Sequence, residues 1–234
     1  MTLVAGIALV ACLVAGCGSH TVRDSEPTRS SDVPALFDLG RDFSLTANPN
    51  GPWRYGYTRG TQLARSAFAP MTVADATTPV GLWHPGPGPA GYYPYIAANL
   101  DPTIAHDPTN SWEVRPGEVA LEASSTGQLA AIEFTVPRAG SYTIAADFAG
   151  IHKLLSTTDA HVLLGDESLF AATISGYGGD PAFYPHQGAS PTASYRATRA
   201  LRVGDVLTFA IGFGLNHTHF NDTTGLIVTI RTAA

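Results

Sequence analysis

Ile132-Glu133-Phe134-Thr135-Val136-Pro137-Arg138-Ala139-Gly140-Ser141-Tyr142-Thr143-Ile144-Ala145-Ala146-Asp147-Phe148 is the stretch that decides the fold class. Ile132, Phe134 and Val136 alternate with Glu133 and Thr135. After the Pro-Arg-Ala-Gly turn, Tyr142, Ile144, Ala146 and Phe148 resume the same period of two. That period belongs to strands with one face in a core, and the turn between them predicts a β-hairpin. A second hairpin is expected from 162–164 and 169–174 around Gly165-Asp166. A third is expected from 195–201 and 206–213 around Val203-Gly204-Asp205, and 226–230 supplies a closing strand. No window carries a helical period. The prediction is an all-β chain, an antiparallel β-sandwich or jelly roll.

Working toward the N-terminus the pattern is less regular. Asn48-Pro49-Asn50-Gly51-Pro52 and Pro85-Gly86-Pro87-Gly88-Pro89 forbid a continuing strand and read as loops. Between them, Trp53-Arg54-Tyr55-Gly56-Tyr57 reads as an edge or entry strand and Gly81-Leu82-Trp83 as another short one.

The chain has 234 residues and a formal charge of −6, with Lys153 its one lysine. Its arginines are scattered, which excludes the clustered basic footprint of a nucleic-acid binder. Both cysteines, Cys12 and Cys17, precede Gly18, so no disulfide can staple the chain from Gly18 to Ala234. That length suffices for one core built from apolar burial alone.

Residues 1–16 are apolar apart from Thr2 and too short for a membrane span of about 20 residues, so they read as a signal peptide. Leu13-Val14-Ala15-Gly16-Cys17 has the form of a lipoprotein cleavage site, with Cys17 as the lipidated residue. No Lys or Arg precedes the apolar run. Cys12 after Leu9-Val10-Ala11 imitates the same pattern, but Cys17 follows the fuller run and leads into polar sequence. Residues 17–35 then form a lipidated tether, too polar to order itself, and 36–234 the β-sandwich domain. The C-terminal residues carry no apolar tail, so the N-terminal lipid is the expected membrane attachment. The expected location is the bacterial cell envelope, facing outside the cytoplasm.

Asp42-Phe43-Ser44, Asn48-Pro49-Asn50-Gly51-Pro52-Trp53-Arg54-Tyr55-Gly56-Tyr57, Trp83, Pro94, Asn99, the 134–142 segment and Asp222-Thr223-Thr224-Gly225-Leu226 together carry a resemblance. The chain resembles an uncharacterised family of exported bacterial β-sandwich domains found in PEP-CTERM-sorted surface proteins, similar to carbohydrate-binding jelly rolls. The resemblance implies a sandwich and a surface location. It carries little biochemistry, and where relatives often show His-Pro-Gly this chain has Glu122-Ala123-Ser124.

The common catalytic signatures are absent: no Gly-x-Ser-x-Gly elbow, no His-Glu-x-x-His, no phosphate-cradling glycine loop and no cysteine after Cys17. A glycosidase needs only two carboxylates across a cleft. Glu113, Glu118, Glu122 and Glu133 are expected on solvated faces instead. His217 and His219 would share a face as metal ligands only if their segment were extended. No cofactor is expected apart from a structural calcium, for which Asp42 and Asp222 are the candidate ligands.

Aromatic residues carry the strongest functional signal. Trp83, Tyr92, Tyr93 and Tyr95 surround a Pro/Gly-rich loop, and Tyr177 and Tyr184 flank Gly178-Gly179-Asp180-Pro181. Sugar rings stack their C–H faces on exposed aromatic faces while hydroxyls reach a polar rim. The alternative is that these rings pack the loops onto the sandwich. The expected function is therefore a lipid-anchored binding module with a glycan as ligand. The alternatives are an envelope lipoprotein that contacts another surface protein, and a carboxylate-based glycan hydrolase.

Overall fold

The computed structural model describes residues 35–77, 79–86 and 92–233. The expected signal peptide, Cys17 and the tether through residue 34 lie outside the described residues, as does 87–91 of the Pro/Gly loop. Ala35, the last expected tether residue, is already tied to the domain: its N–H donates to Thr232 Oγ1 at 2.8 Å.

Sixteen strands run in order among the described residues. They are β1 (Leu36–Asp38), β2 (Trp53–Thr58), β3 (Phe68–Pro70), β4 (Val73–Thr77), β5 (Val80–His84), β6 (Tyr95–Asn99), β7 (Ala105–His106) and β8 (Glu113–Val114). Then come β9 (Val119–Glu122), β10 (Ala130–Thr135), β11 (Gly140–Gly150), β12 (Thr157–Leu164), β13 (Glu167–Ser175), β14 (Thr192–Leu201), β15 (Val206–Ile211) and β16 (Thr224–Thr232). One sheet runs β14-β11-β16-β9-β6-β5-β4, with β1 also on β16. The other runs β13-β12-β15-β10-β2-β3, and β7-β8 is a separate ladder. Every pairing is antiparallel, so the fold is an antiparallel β-sandwich.

The core between the sheets takes alternate residues of each strand, as period two dictates. Tyr142, Ile144, Ala146 and Phe148 of β11 and Leu226, Val228 and Ile230 of β16 face Trp53, Tyr55, Ile132, Phe134 and Phe209 from the other sheet. Trp53, Tyr55, Phe134, Phe148 and Phe209 are among the largest fully buried side chains. Each large apolar side chain so buried contributes about 1.5–3 kcal/mol, enough to hold the sandwich without a disulfide.

Two expected hairpins are something else. β10 pairs with β2 and β15, whereas β11 pairs with β14 and β16 in the opposite sheet. The Pro-Arg-Ala-Gly turn is an arch that carries the chain across the core, and Tyr142 pins it by donating its hydroxyl to Arg138 O at 2.8 Å. β14 and β15 likewise lie in different sheets. Alternation reports which face is buried; it does not report which neighbour supplies the hydrogen bonds. The β12–β13 hairpin forms as expected, with Gly165 at φ 60 in its turn. β2 is not an edge, since β3 covers its outer side.

β6 departs from simple alternation. Tyr95, Ile96, Ala97 and Ala98 are all buried. Ile96 and Ala98 enter the main core, while Tyr95 and Ala97 join Val114, Ala120, Ala149 and Ile151 in a second cluster on the outer face of the same sheet. A strand buried on both faces needs a second cover. Here the cover is the excursion through β7 and β8, which lays Trp112 and Val114 over β6 and β9.

Candidate functional site

Asp107 makes that excursion possible. Its Oδ1 accepts the backbone N–H groups of Ser111 at 2.5 Å and Trp112 at 2.9 Å, and its Oδ2 accepts Thr109 N at 3.1 Å and the Thr109 hydroxyl. One carboxylate so closes the whole 107–112 turn, as Asp does when it replaces backbone partners. Burial pushes its pKa up, but these hydrogen bonds outweigh it and hold the group below the usual aspartate range. A bridge between Trp112 and His152 and the Lys153 N to Ser111 O bond at 2.9 Å fasten the turn to the sheet.

A groove lies between this cover and the β5-β6-β9 surface. Tyr95 stacks on Trp112 at 6.4 Å with 28° between planes, and Tyr93 tilts against Tyr95 at 5.4 Å. Tyr93 also meets His219 edge-on at 4.8 Å, and His219 packs on Phe220 at 4.5 Å. Tyr92, 57% exposed, stands edge-on to His84 at 4.9 Å. Three adjoining cavities of about 310, 220 and 160 Å³ run along the groove, all bordered by Trp112 and Asp107.

Glu122 stands in the wall of the largest cavity, 4% exposed. Its Oε2 accepts the Tyr95 hydroxyl at 2.7 Å and the Thr223 hydroxyl at 2.5 Å. Burial pushes its pKa up to about 7 against those two bonds, with the Asp222 charge adding to the rise. Tyr93 is raised to about 12 by burial and by the charges of Glu122 and Asp107. Burial holds the imidazoles of His152 and His219 below the ordinary histidine value.

The sequence-expected residues divide. Tyr92, Tyr93 and Tyr95 come together here. Trp83 does not: strand parity turns it into the main core, 7% exposed, where its Nε1 donates to Ser44 O at 2.7 Å. It offers no face to a ligand. Tyr177 is fully buried and donates its hydroxyl to Glu113 Oε1 at 2.6 Å; half-buried Tyr184 packs edge-on against it at 5.6 Å. Gly179 lies so close to that pair that a Cβ there would come within 2.5 Å of both Glu113 and Tyr177. Tyr177 anchors its loop rather than displaying a surface. Trp112, His219 and Phe220 belong to the groove and carried no loop signature of their own.

The carboxylates expected on solvated faces are buried. Glu113 holds Tyr177, Glu118 takes Arg115 at 2.6 Å, and Glu133 lies under Arg54 with an N–O separation of 2.5 Å. Asp42 pairs with Arg41 at 2.8 Å and accepts Trp53 Nε1 at 3.3 Å. Asp222 is fully buried and accepts Thr157 N at 2.8 Å; burial, then the Asp159 charge, raises its pKa to about 7. His217 packs against Phe213 and His219 against Tyr93, so the two do not share a face. Among the described residues no group of three or more His, Cys, Asp or Glu is placed to hold a metal ion.

No family model matches the chain, and no curated protein matches it. Solved structures show general likeness. A family 35 carbohydrate-binding module from Clostridium thermocellum is 8% identical, with 86% of this chain and 99% of that one covered and a TM-score of 0.33. The C-terminal CBM6 of LamC from Zobellia galactanivorans is 11% identical, covering 49% and 80%, with a TM-score of 0.27. Eiger TNF from S. frugiperda is 14% identical with a TM-score of 0.25, over 44% of this chain, which spans 64% of that one. Scores of this size carry no argument about function, which rests on the groove itself.

Proposed function

We propose that this domain is a glycan-binding module, and that a lipid on Cys17 displays it on the outer side of a bacterial membrane as one of the exported surface domains it resembles. The observation that carries the binding reading is the groove on the outer face of the β6 sheet, where Tyr92, Tyr93 and Trp112 present aromatic surface beside Thr109, Ser111 and Asn221. Aromatic faces take the C–H side of a sugar ring, and hydroxyl and amide groups at the rim take its hydroxyls. Three adjoining cavities border the groove, which suits a ligand of more than one ring. Binding is favoured over hydrolysis because Asp107 commits its acceptor positions to its own turn, leaving none for a nucleophile or general base beside Glu122.

A glycan array probed with the full chain tests this directly. Binding lost or cut in Tyr92→Ala is expected, because Tyr92 is exposed and its removal leaves the core intact; binding of no glycan, or binding indifferent to that change, would overturn it. For the anchor, palmitate incorporation in a bacterial host is expected to disappear in Cys17→Ser and persist in Cys12→Ser. The reverse result would move the lipid to Cys12.

A further inference from the structure

The geometry points to a saccharide with free amino groups, an oligomer of hexosamine units, as the ligand of this groove; the inference rests on the glycan-binding reading above and narrows it. Among the residues bordering the three cavities the charged side chains are Asp107 and Glu122, and neither Lys nor Arg is among them. Nearby cations are already engaged: Arg115 is held by Glu118 at 2.6 Å, and Lys153 sets its Nζ over the Phe183 ring at 4.1 Å. Burial favours the uncharged forms of His152, which borders the largest cavity, and of His219 beside Tyr93; His106, at the smallest cavity, packs its ring on Phe183 at 4.7 Å.

Glu122 gives this field a focus. Both hydrogen bonds it receives land on Oε2, from Tyr95 and Thr223, while Oε1 has no partner among the described residues. Oε1 is not among the enclosed unpartnered oxygens; it opens onto the largest cavity and is the acceptor that a ligand there meets. A protonated amine suits this position in two ways. It donates to Oε1, and it lies beside the rings of Tyr93 and Trp112, whose faces attract cations. A neutral sugar leaves Glu122 to be neutralised only by its own proton, and a uronate brings a further negative charge into the same groove.

The test titrates the full chain calorimetrically with three oligomers of equal length: glucosamine, N-acetylglucosamine and glucose. The amine-bearing oligomer is expected to bind at least about tenfold tighter than the other two, the scale of one charge-assisted hydrogen bond. Raising NaCl from about 20 to about 500 mM is expected to erode that preference and leave the neutral oligomers unaffected. Glu122→Gln is expected to reduce the preference to under about threefold. Equal affinity for all three, or tighter binding of either uncharged oligomer, overturns the inference while the glycan reading stands. If no oligosaccharide of any class binds, the glycan reading itself fails. A folded Glu122→Gln chain with its preference intact also overturns the inference; should that variant not fold, the salt titration of the unaltered chain decides.

Discussion

Glu122 and Asp222 are acids placed where their charged forms are poorly solvated, and this gives the domain a defined response to pH. Both titrate near 7 when folded, against about 4 in an unfolded chain. Between those values the unfolded chain carries fewer protons than the folded one, so stability falls as pH rises toward 7. Asp42, Asp107 and Asp159 are shifted the opposite way, and their contribution is lost only as pH falls below about 4. The melting temperature of the full chain is therefore expected to rise from about pH 8 to about pH 5 and fall again below about pH 4. Asp222→Asn keeps an oxygen for Thr157 and is expected to flatten the alkaline side; a melting temperature that climbs with pH over that range would contradict these placements. Trp83 and Tyr92 make the second contrast at this scale. Trp83→Ala is expected to cost about 3–5 kcal/mol by leaving a cavity in the core, without reshaping the groove. Tyr92→Ala is expected to shift stability by less than about 0.5 kcal/mol while weakening ligand binding. Denaturant melts set beside binding isotherms read both. The sequence placed these two rings next to the same loop, and local composition could not separate them. What separates them is the parity of β5, which sends Trp83 inward and Leu82 outward.

The strands were legible where one face is apolar and the other polar, as in β10, β11 and β16. Their partners were not, because the turn after Val136 can close a hairpin or an arch with the same inward residues. The clue to the site lay in β6 and β9, where Tyr95-Ile96-Ala97-Ala98 and Val119-Ala120-Leu121 are apolar without interruption. Such runs mean that both faces are covered, and so that another segment must supply the cover. That segment, 100–118, is polar and proline-containing, and only the long-range contacts of Trp112 and Val114 show what it does. Asp107 is the residue on which this element depends. Asp107→Ala is expected to leave four donors of the 107–112 turn without their acceptor. The sandwich should keep its far-ultraviolet signature while the Trp112 fluorescence shifts red and ligand binding is lost. An unchanged emission spectrum with full binding would show that the turn is held by other means.

Across the whole domain, two layers of stability support one open surface. The core between the sheets carries the large buried rings and holds the sandwich together. The smaller cluster on the outer face of the β6 sheet shapes a groove with aromatic walls and a net negative lining. An aromatic groove fastened to a rigid sheet can present rings without reorganising, which lowers the ordering cost of binding. The most direct test of this arrangement is calorimetric titration of the full chain and of Tyr92→Ala with the glycan that scores highest on an array. Saturable binding with one site per chain is expected, weakened at least about fivefold by Tyr92→Ala at unchanged melting temperature. Binding of equal strength in both proteins, or none in either, would contradict it.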